Sequence, residues 1–89
     1  MKIFCIGIGG IGLSGVAQIL KAQGHELSGS DNAISPLTDH LKKSCIHVFT
    51  EHKKENVDKS IDLVIYSEAI PESNPERVSA GEMGIQSIN

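Results

Sequence analysis

The sequence GIGGIG at positions 7–12 is the most informative part of this 89-residue chain. It has the spacing G-x-G-x-x-G and follows the apolar run IFCI at positions 3–6. After a strand, the first glycine allows a tight turn and the second lets the backbone approach a phosphate group. The third allows close packing of helix on strand, and the helix N-terminus offers unpaired N–H groups to an anion. The motif predicts a strand, a phosphate-binding turn and a helix; a turn that needs its glycines only for packing is the alternative.

Strand and helix signals alternate along the rest of the chain. A helix is predicted over residues 11–23, where apolar residues recur at helical spacing, and Ser-Pro and Asn-Pro caps predict two more, over residues 35–43 and from 74 to about 84. Further apolar runs predict strands at residues 27–29, 46–49, 62–66 and 85–88. Such alternation is typical of a parallel sheet covered on both faces. We therefore predict one Rossmann-like three-layer α/β domain over residues 1–89, with a parallel sheet of about five strands.

Composition excludes several classes of protein. Eight Lys and Arg against 11 Asp and Glu leave no basic surplus for a nucleic-acid backbone. No apolar run approaches the roughly 20 residues that cross a bilayer, and the first residues do not read as a signal peptide. The two cysteines and four histidines lack the spacing of metal ligands. We expect a cytoplasmic globular domain with no metal, nucleic-acid or membrane partner.

Three further features lie where strands of such a sheet should end. Asp31 stands 19 residues after Gly12, where a carboxylate can accept from a ribose hydroxyl; it could equally cap a turn. His52 follows the third predicted strand, and the segment YSEAIP at positions 66–71 follows the fourth; a surface histidine and an ordinary loop are the alternatives. The sequence has no G-x-x-x-x-G-K-[ST] loop and no triad-like order of Ser, His and Asp. It therefore indicates a nucleotide-phosphate binder without catalytic residues.

Several blocks of the sequence resemble the N-terminal domain of the Mur ligase family of bacterial peptidoglycan synthesis. They read IGIGGIGLSGVA at positions 6–17, LSGSD at 27–31, VIYSEAIP at 64–71 and NPE at 74–76. The resemblance covers nearly the whole chain, residues 2–88. It implies a UDP-binding domain, whose central ATP-binding domain and C-terminal domain would lie outside these 89 residues.

The resemblance further implies a reaction. In the alanine-adding branch of the family, ATP phosphorylates the carboxylate of UDP-N-acetylmuramate, the amine of L-alanine attacks the acyl phosphate, and an amide forms. ATP and Mg²⁺ would belong to the absent domains, as would the L-alanine site. This chain is therefore expected to bind UDP-N-acetylmuramate, to hold no cofactor of its own and to be inactive alone.

The resemblance also implies which residues bind the substrate. The glycine loop would face the diphosphate, the end of the second strand would face the nucleoside, and His52 and the segment after the fourth strand would line the same pocket. The expected residues are Gly9, Gly10, Ile11, Gly12, Ser30, Asp31, His52, Ser67, Ala69 and Ile70. Glu68 departs from the small residue, often serine, that the family usually has there, and an inward carboxylate would repel a diphosphate.

Other interpretations of the same residues remain open. An NAD-binding module from a dehydrogenase or a potassium-channel regulator would also use the glycine loop and Asp31, although a full dinucleotide site needs two βαβαβ halves. A regulatory domain without a working pocket is a further alternative. The related ligase that recycles muramyl tripeptide has a similar opening, but tends to differ inside the glycine loop.

Overall fold

The computed structural model describes residues 1–33 and 35–89. In these ranges the strands are β1 (Lys2–Ile6), β2 (Glu26–Ser30), β3 (His47–Phe49), β4 (Leu63–Tyr66) and β5 (Gln86–Ile88). The helices are α1 (Ile11–Ala22), α2 (Pro36–Lys43) and α3 (Pro75–Glu82), and a 3₁₀ turn covers Lys54–Asn56. The elements follow the predicted order, and their ends differ from the predicted ones by a few residues.

The strands form one parallel sheet in the order β3-β2-β1-β4-β5. The central strand β1 places Cys5 opposite Gly29 of β2 and Ile65 of β4. The chain runs outward from β1 to β3 and then returns to β4 on the other side of β1. Between β1 and β4 the strand order therefore reverses, and in open parallel sheets ligands bind at this switch point, beyond the carboxyl ends of the strands. The predicted α/β fold is confirmed.

The side chains of β1 alternate between two apolar clusters, one on each face of the sheet. Ile3 and Cys5 belong to the cluster that includes residues of α1 and α2. Phe4 and Ile6 belong to the cluster that includes Ala80 of α3. Since successive side chains of a strand point to opposite faces, a continuous apolar run is what a strand with both faces covered requires.

Local signals set the ends of α2 and α3. The Ser35 hydroxyl accepts from the Thr38 N–H at 3.3 Å and the Thr38 hydroxyl accepts from the Ser35 N–H at 2.9 Å, which is a capping box. The Asn74 side chain accepts from the N–H groups of Glu76 and Arg77 at the start of α3. Both helices have proline in the first turn, as the sequence predicted.

Helices long and apolar enough to span a bilayer do not occur in the described part of the chain. The helix α1 has 12 residues.

Candidate functional site

The glycine loop after β1 is tied to the end of β2. The N–H groups of Gly7 and Ile8 both donate to the Ser30 carbonyl, at 2.8 and 3.1 Å. Gly7 has a φ of +82°, and a Cβ there would also lie 3.1 Å from Ser67 Oγ. The first glycine of the motif therefore makes the tight turn, as predicted, because both the backbone conformation and the neighbouring side chain favour glycine.

Gly9 is required by its contacts with Asp31 and Thr38. A Cβ on Gly9 would lie 2.8 Å from Asp31 Oδ2 and 2.9 Å from Thr38 Cγ2. The Gly9 N–H donates to Asp31 Oδ2 at 2.9 Å, and Asp31 Oδ1 accepts from the Ala33 N–H at 2.9 Å. Asp31 thus caps its own turn and also holds the glycine loop. The Gly9 N–H is occupied within the protein, so its expected contact with a diphosphate stays a prediction.

The helix α1 begins without a side-chain cap at Gly10. The Gly10 N–H donates to the Gly7 carbonyl at 3.0 Å. The N–H groups of Ile11, Gly12 and Leu13, in the first turn, have no hydrogen-bond partner among the described residues. Free N–H groups at a helix N-terminus, together with the helix dipole, favour an anion such as a phosphate group.

The packing role expected for Gly12 was wrong. A Cβ built at Gly12 meets no heavy atom within 4 Å, so this glycine does not bring α1 closer to the sheet. Gly12 instead leaves open space in front of the first turn of α1.

An open cleft of about 520 Å³ lies between the start of α1 and the segment after β4. Since α1 follows β1, this cleft is at the switch point of the sheet. It is lined by Gly10, Gly12, Leu13, Val16, Ile65, Tyr66, Ser67, Glu68, Ala69, Ile88 and Asn89. Four of the expected binding residues therefore share the cleft, namely Gly10, Gly12, Ser67 and Ala69. Glu68 lines it as well, on an exposed side chain.

The other expected residues lie around the cleft. Ile11 is 87% exposed beside it, whereas Ile70 packs against the apolar cluster on the α3 face. Ser30, Asp31 and His52 lie on the β2 and β3 side of the glycine loop. The cleft and the residues predicted to contact the nucleoside therefore lie on different sides of the same loop.

Arg77 holds the segment after β4. Its guanidinium donates to the Ile70 carbonyl at 2.9 Å, and its Cζ lies 3.9 Å from the centroid of the Tyr66 ring. The Ser67 N–H continues the sheet by donating to the Ile6 carbonyl at 3.1 Å. No local sequence pattern indicates this role of Arg77, because its partners become neighbours only when α3 returns to the end of β4.

A buried polar network lies behind the end of β2. The Ser30 hydroxyl donates to Glu76 Oε1 at 2.5 Å, and His52 Nδ1 lies 2.8 Å from both oxygens. Asn56 Nδ2 donates to Glu76 Oε2 at 2.8 Å. Ser30 and Glu76 are fully buried, so the Ser30 hydroxyl is used within the protein. The contacts of Glu76 were not predicted from the sequence. The NPE sequence at positions 74–76, which contains it, was the available signal.

The two cysteines differ in environment. Cys5 is fully buried, and burial raises the pKa of its thiol to about 12. A thiol in this state is a poor nucleophile, which agrees with its interpretation as a small apolar core residue. Cys45 is exposed.

An ATP loop of the Walker type and a cluster of metal-type ligands are not found among the described residues. The loop at positions 7–12 is not of the G-x-x-x-x-G-K-[ST] type. No group of three His, Cys, Asp or Glu in residues 1–33 and 35–89 could hold a metal ion.

Known proteins resemble the chain over its whole length. It is 47% identical over 88 residues to UDP-N-acetylmuramate–L-alanine ligase of Clostridium novyi, which covers 99% of this chain and 19% of that protein. The same enzyme of Campylobacter jejuni (strain RM1221) is 47% identical and is covered to 20%. This chain thus spans about a fifth of the length of the curated relatives it matches.

Solved structures of Mur-type ligases also match this chain. The structure of UDP-N-acetylmuramate-alanine ligase from Thermotoga maritima matches with a TM-score of 0.95 at 37% identity, over 100% of this chain and 20% of that one. A murein peptide ligase from Psychrobacter arcticus shares the fold, with a TM-score of 0.90 at 23% identity, over 98% of this chain and 18% of that one. The family model described as "Mur ligase family, catalytic domain" matches residues 2–89. The chain belongs to the Mur ligase family.

Proposed function

We propose that this chain binds the UDP part of UDP-N-acetylmuramate, as the N-terminal domain of the ligase that joins L-alanine to that substrate. Relatives with this name are up to 47% identical over nearly the whole chain. The observation that carries the proposal is the set of N–H groups at Ile11, Gly12 and Leu13, which have no partner among the described residues; Gly12 and Leu13 line the cleft at the switch point of the sheet.

The diphosphate would bind at the first turn of α1. The three N–H groups that have no partner in the described part of the chain, and the positive end of the helix dipole, favour its negative charge. Gly12 has no side chain to fill the space that the phosphates need. Ser67 and Ala69 would line the opposite wall of the cleft, while the Glu68 carboxylate would oppose the anion.

The nucleoside would extend to the other side of the glycine loop, towards Asp31 and His52. Each Asp31 oxygen accepts one backbone N–H, and a carboxylate oxygen can accept more than one donor. Asp31 could therefore hold the glycine loop and a ribose hydroxyl at once. The contacts of Ser30 and Ile70 would be indirect, since both side chains are engaged within the protein.

The rest of the reaction would take place outside this chain. Phosphorylation of the muramic acid carboxylate needs ATP held in place, and attack on the acyl phosphate needs L-alanine beside it. We propose that ATP, Mg²⁺ and L-alanine bind in the remaining four-fifths of the longer enzyme, that the reaction occurs in the cytoplasm, and that the 89-residue chain alone forms no amide.

Two valine variants test the proposed diphosphate site. A Cβ at Gly10 would lie 3.4 Å from the Gly7 carbonyl, and a Cβ at Gly12 meets nothing within 4 Å, so the fold should accept both substitutions. Either side chain would occupy space at the start of α1, where the diphosphate is proposed to bind. In wild type, UDP-N-acetylmuramate should shift the amide NMR signals of residues 9–14 more than those of residues 53–59.

Gly10→Val and Gly12→Val should each remove those shifts and leave the rest of the spectrum dispersed. Gly81→Ala is a suitable control, because it changes a helical glycine with open space around it. Gly24→Val is unsuitable, because φ is +96° at that position. Full shifts in both valine variants would contradict the proposed diphosphate site.

A further inference from the structure

Glu76 is a fully buried carboxylate at the start of α3, and its partners lie on other segments. Oε1 accepts from the Ser30 hydroxyl at 2.5 Å and contacts His52 Nδ1 at 2.8 Å. Oε2 accepts from Asn56 Nδ2 at 2.8 Å. Burying a carboxylate is unfavourable unless donors surround it, so Glu76 requires a donor at each of these positions.

This requirement fixes the tautomer of His52. An ionised carboxylate only accepts hydrogen bonds, so the imidazole must carry its hydrogen on Nδ1. In a neutral imidazole the other nitrogen, Nε2, is then an acceptor. Nε2 makes no hydrogen bond to the described residues, and no buried side-chain nitrogen or oxygen among them lacks a partner. Nε2 is therefore open to solvent, on a side chain that is 14% exposed.

We propose that Glu76 is a positioning residue that presents His52 Nε2 as a hydrogen-bond acceptor to the nucleoside. The proposal rests on the proposed function. A phosphate oxygen is itself an acceptor and would not bind a neutral Nε2. A ribose hydroxyl and the imide N–H of uracil are donors. Glu76 would thus select the nucleoside part of the ligand, while the first turn of α1 binds the diphosphate.

Glu76→Gln should reverse the tautomer, and Asn56 is the reason. Asn56 Nδ2 donates to the Glu51 carbonyl at 2.8 Å as well as to Glu76, so its amide cannot turn without losing that bond. A glutamine at 76 would therefore give its oxygen to Asn56 and its NH₂ group to Ser30 and His52. Facing a donor, His52 Nδ1 would become the acceptor, and the hydrogen would move to Nε2.

The tautomer can be measured without ligand. Long-range ¹H–¹⁵N spectra of the imidazoles are recorded on the 89-residue chain, with the pH raised until the His52 ¹⁵N shifts stop changing. Wild type should show Nδ1–H and Glu76→Gln should show Nε2–H. Adding Asn56→Ala to Glu76→Gln should restore Nδ1–H, because the glutamine oxygen is then free to turn towards His52. Glu82→Gln, at an exposed position of α3, is the matched control and should show Nδ1–H.

An Nε2–H tautomer in wild type, or Nδ1–H in Glu76→Gln, overturns the proposal. The wild-type spectrum alone can overturn the proposal, so the test remains decisive even if Glu76→Gln fails to fold. Because no ligand is present, these outcomes are independent of whether the chain binds UDP.

Binding of UDP tests the second half of the proposal. Losing one hydrogen bond should weaken UDP binding by about tenfold in Glu76→Gln and leave it unchanged in Glu82→Gln. Two analogues identify the group that donates to Nε2: N3-methyl-UDP lacks the imide N–H of uracil, and 2′-deoxy-UDP lacks one ribose hydroxyl. The analogue without the donating group should bind equally well to wild type and to Glu76→Gln. A reversed tautomer with unchanged UDP affinity overturns the positioning role and leaves the proposed function standing. A wild-type chain that does not bind UDP contradicts the proposed function instead.

Discussion

The three motif glycines differ in what their missing side chains allow. Gly7 is required by its φ of +82°, and Gly9 by the closeness of Asp31 and Thr38. Gly12 is surrounded by open space. The motif spacing alone predicted the turn and the helix start, but it assigned the packing role to the wrong glycine. Which neighbour approaches a backbone atom depends on the return of β2 and α2, which the loop sequence does not contain.

Alanine substitutions should distinguish the closely packed Gly9 from Gly12, which has open space around it. At Gly9 a Cβ would lie 2.8 Å from Asp31 Oδ2, so Gly9→Ala should displace Asp31 and lower the free energy of unfolding by about 1–3 kcal/mol. At Gly12 the same change adds a better helix former without a steric clash, and should raise the free energy of unfolding by about 0.5–1 kcal/mol. Urea denaturation of both variants measures the difference. Equal destabilisation by the two substitutions would contradict these glycine assignments.

Among the elements, the strands and helices follow from apolar periodicity and caps, whereas the polar contacts between elements do not. Residues 3–6 predicted β1 because both faces of that strand are covered. The bond between Ser30 and Glu76 joins residues 46 positions apart, and no local pattern indicates it. In the same way, Gly29 is needed because a Cβ would collide with the Cys5 carbonyl oxygen of β1 and would lie 2.8 Å from Ile8 Cδ1 in the glycine loop.

The end of α2 offers a test at the scale of one element. Cys45 follows the helix with a φ of 64°, and the Ile46 N–H donates back to the Leu41 carbonyl at 3.1 Å. This is the position where helices usually have glycine, because other residues are strained there. Cys45→Gly should raise the free energy of unfolding by about 0.5–1 kcal/mol, measured by urea denaturation.

Ser44→Gly is the matched control, since Ser44 has a φ of −87° and gains nothing from glycine. It should leave stability unchanged or reduce it. If Cys45→Gly had a free energy of unfolding no higher than that of Ser44→Gly, the described end of α2 would be contradicted.

For the whole molecule, the strand order β3-β2-β1-β4-β5 sets the binding edge. It brings the glycine loop, the end of β2 and the segment after β4 to one edge of the sheet, although they are far apart in sequence. The sequence predicted this edge because the carboxyl ends of parallel strands meet there. The turn cap at Asp31 was one of the two alternatives that the sequence offered. The sequence could not predict that Asp31 would also accept from Gly9 or that Ser30 would donate to Glu76, since these contacts depend on tertiary packing. Neither could it separate a UDP site from an NAD site, because both use the same loop.

A competition at the glycine loop tests the central claim most directly. The amide NMR signals of residues 9–14 are followed in the 89-residue chain with UDP-N-acetylmuramate, and separately with NAD⁺ at equal concentration. We expect UDP-N-acetylmuramate to shift them at up to millimolar concentration, and NAD⁺ to leave them nearly unmoved. Shifts with NAD⁺ and none with UDP-N-acetylmuramate would contradict UDP binding and favour a nicotinamide-binding module.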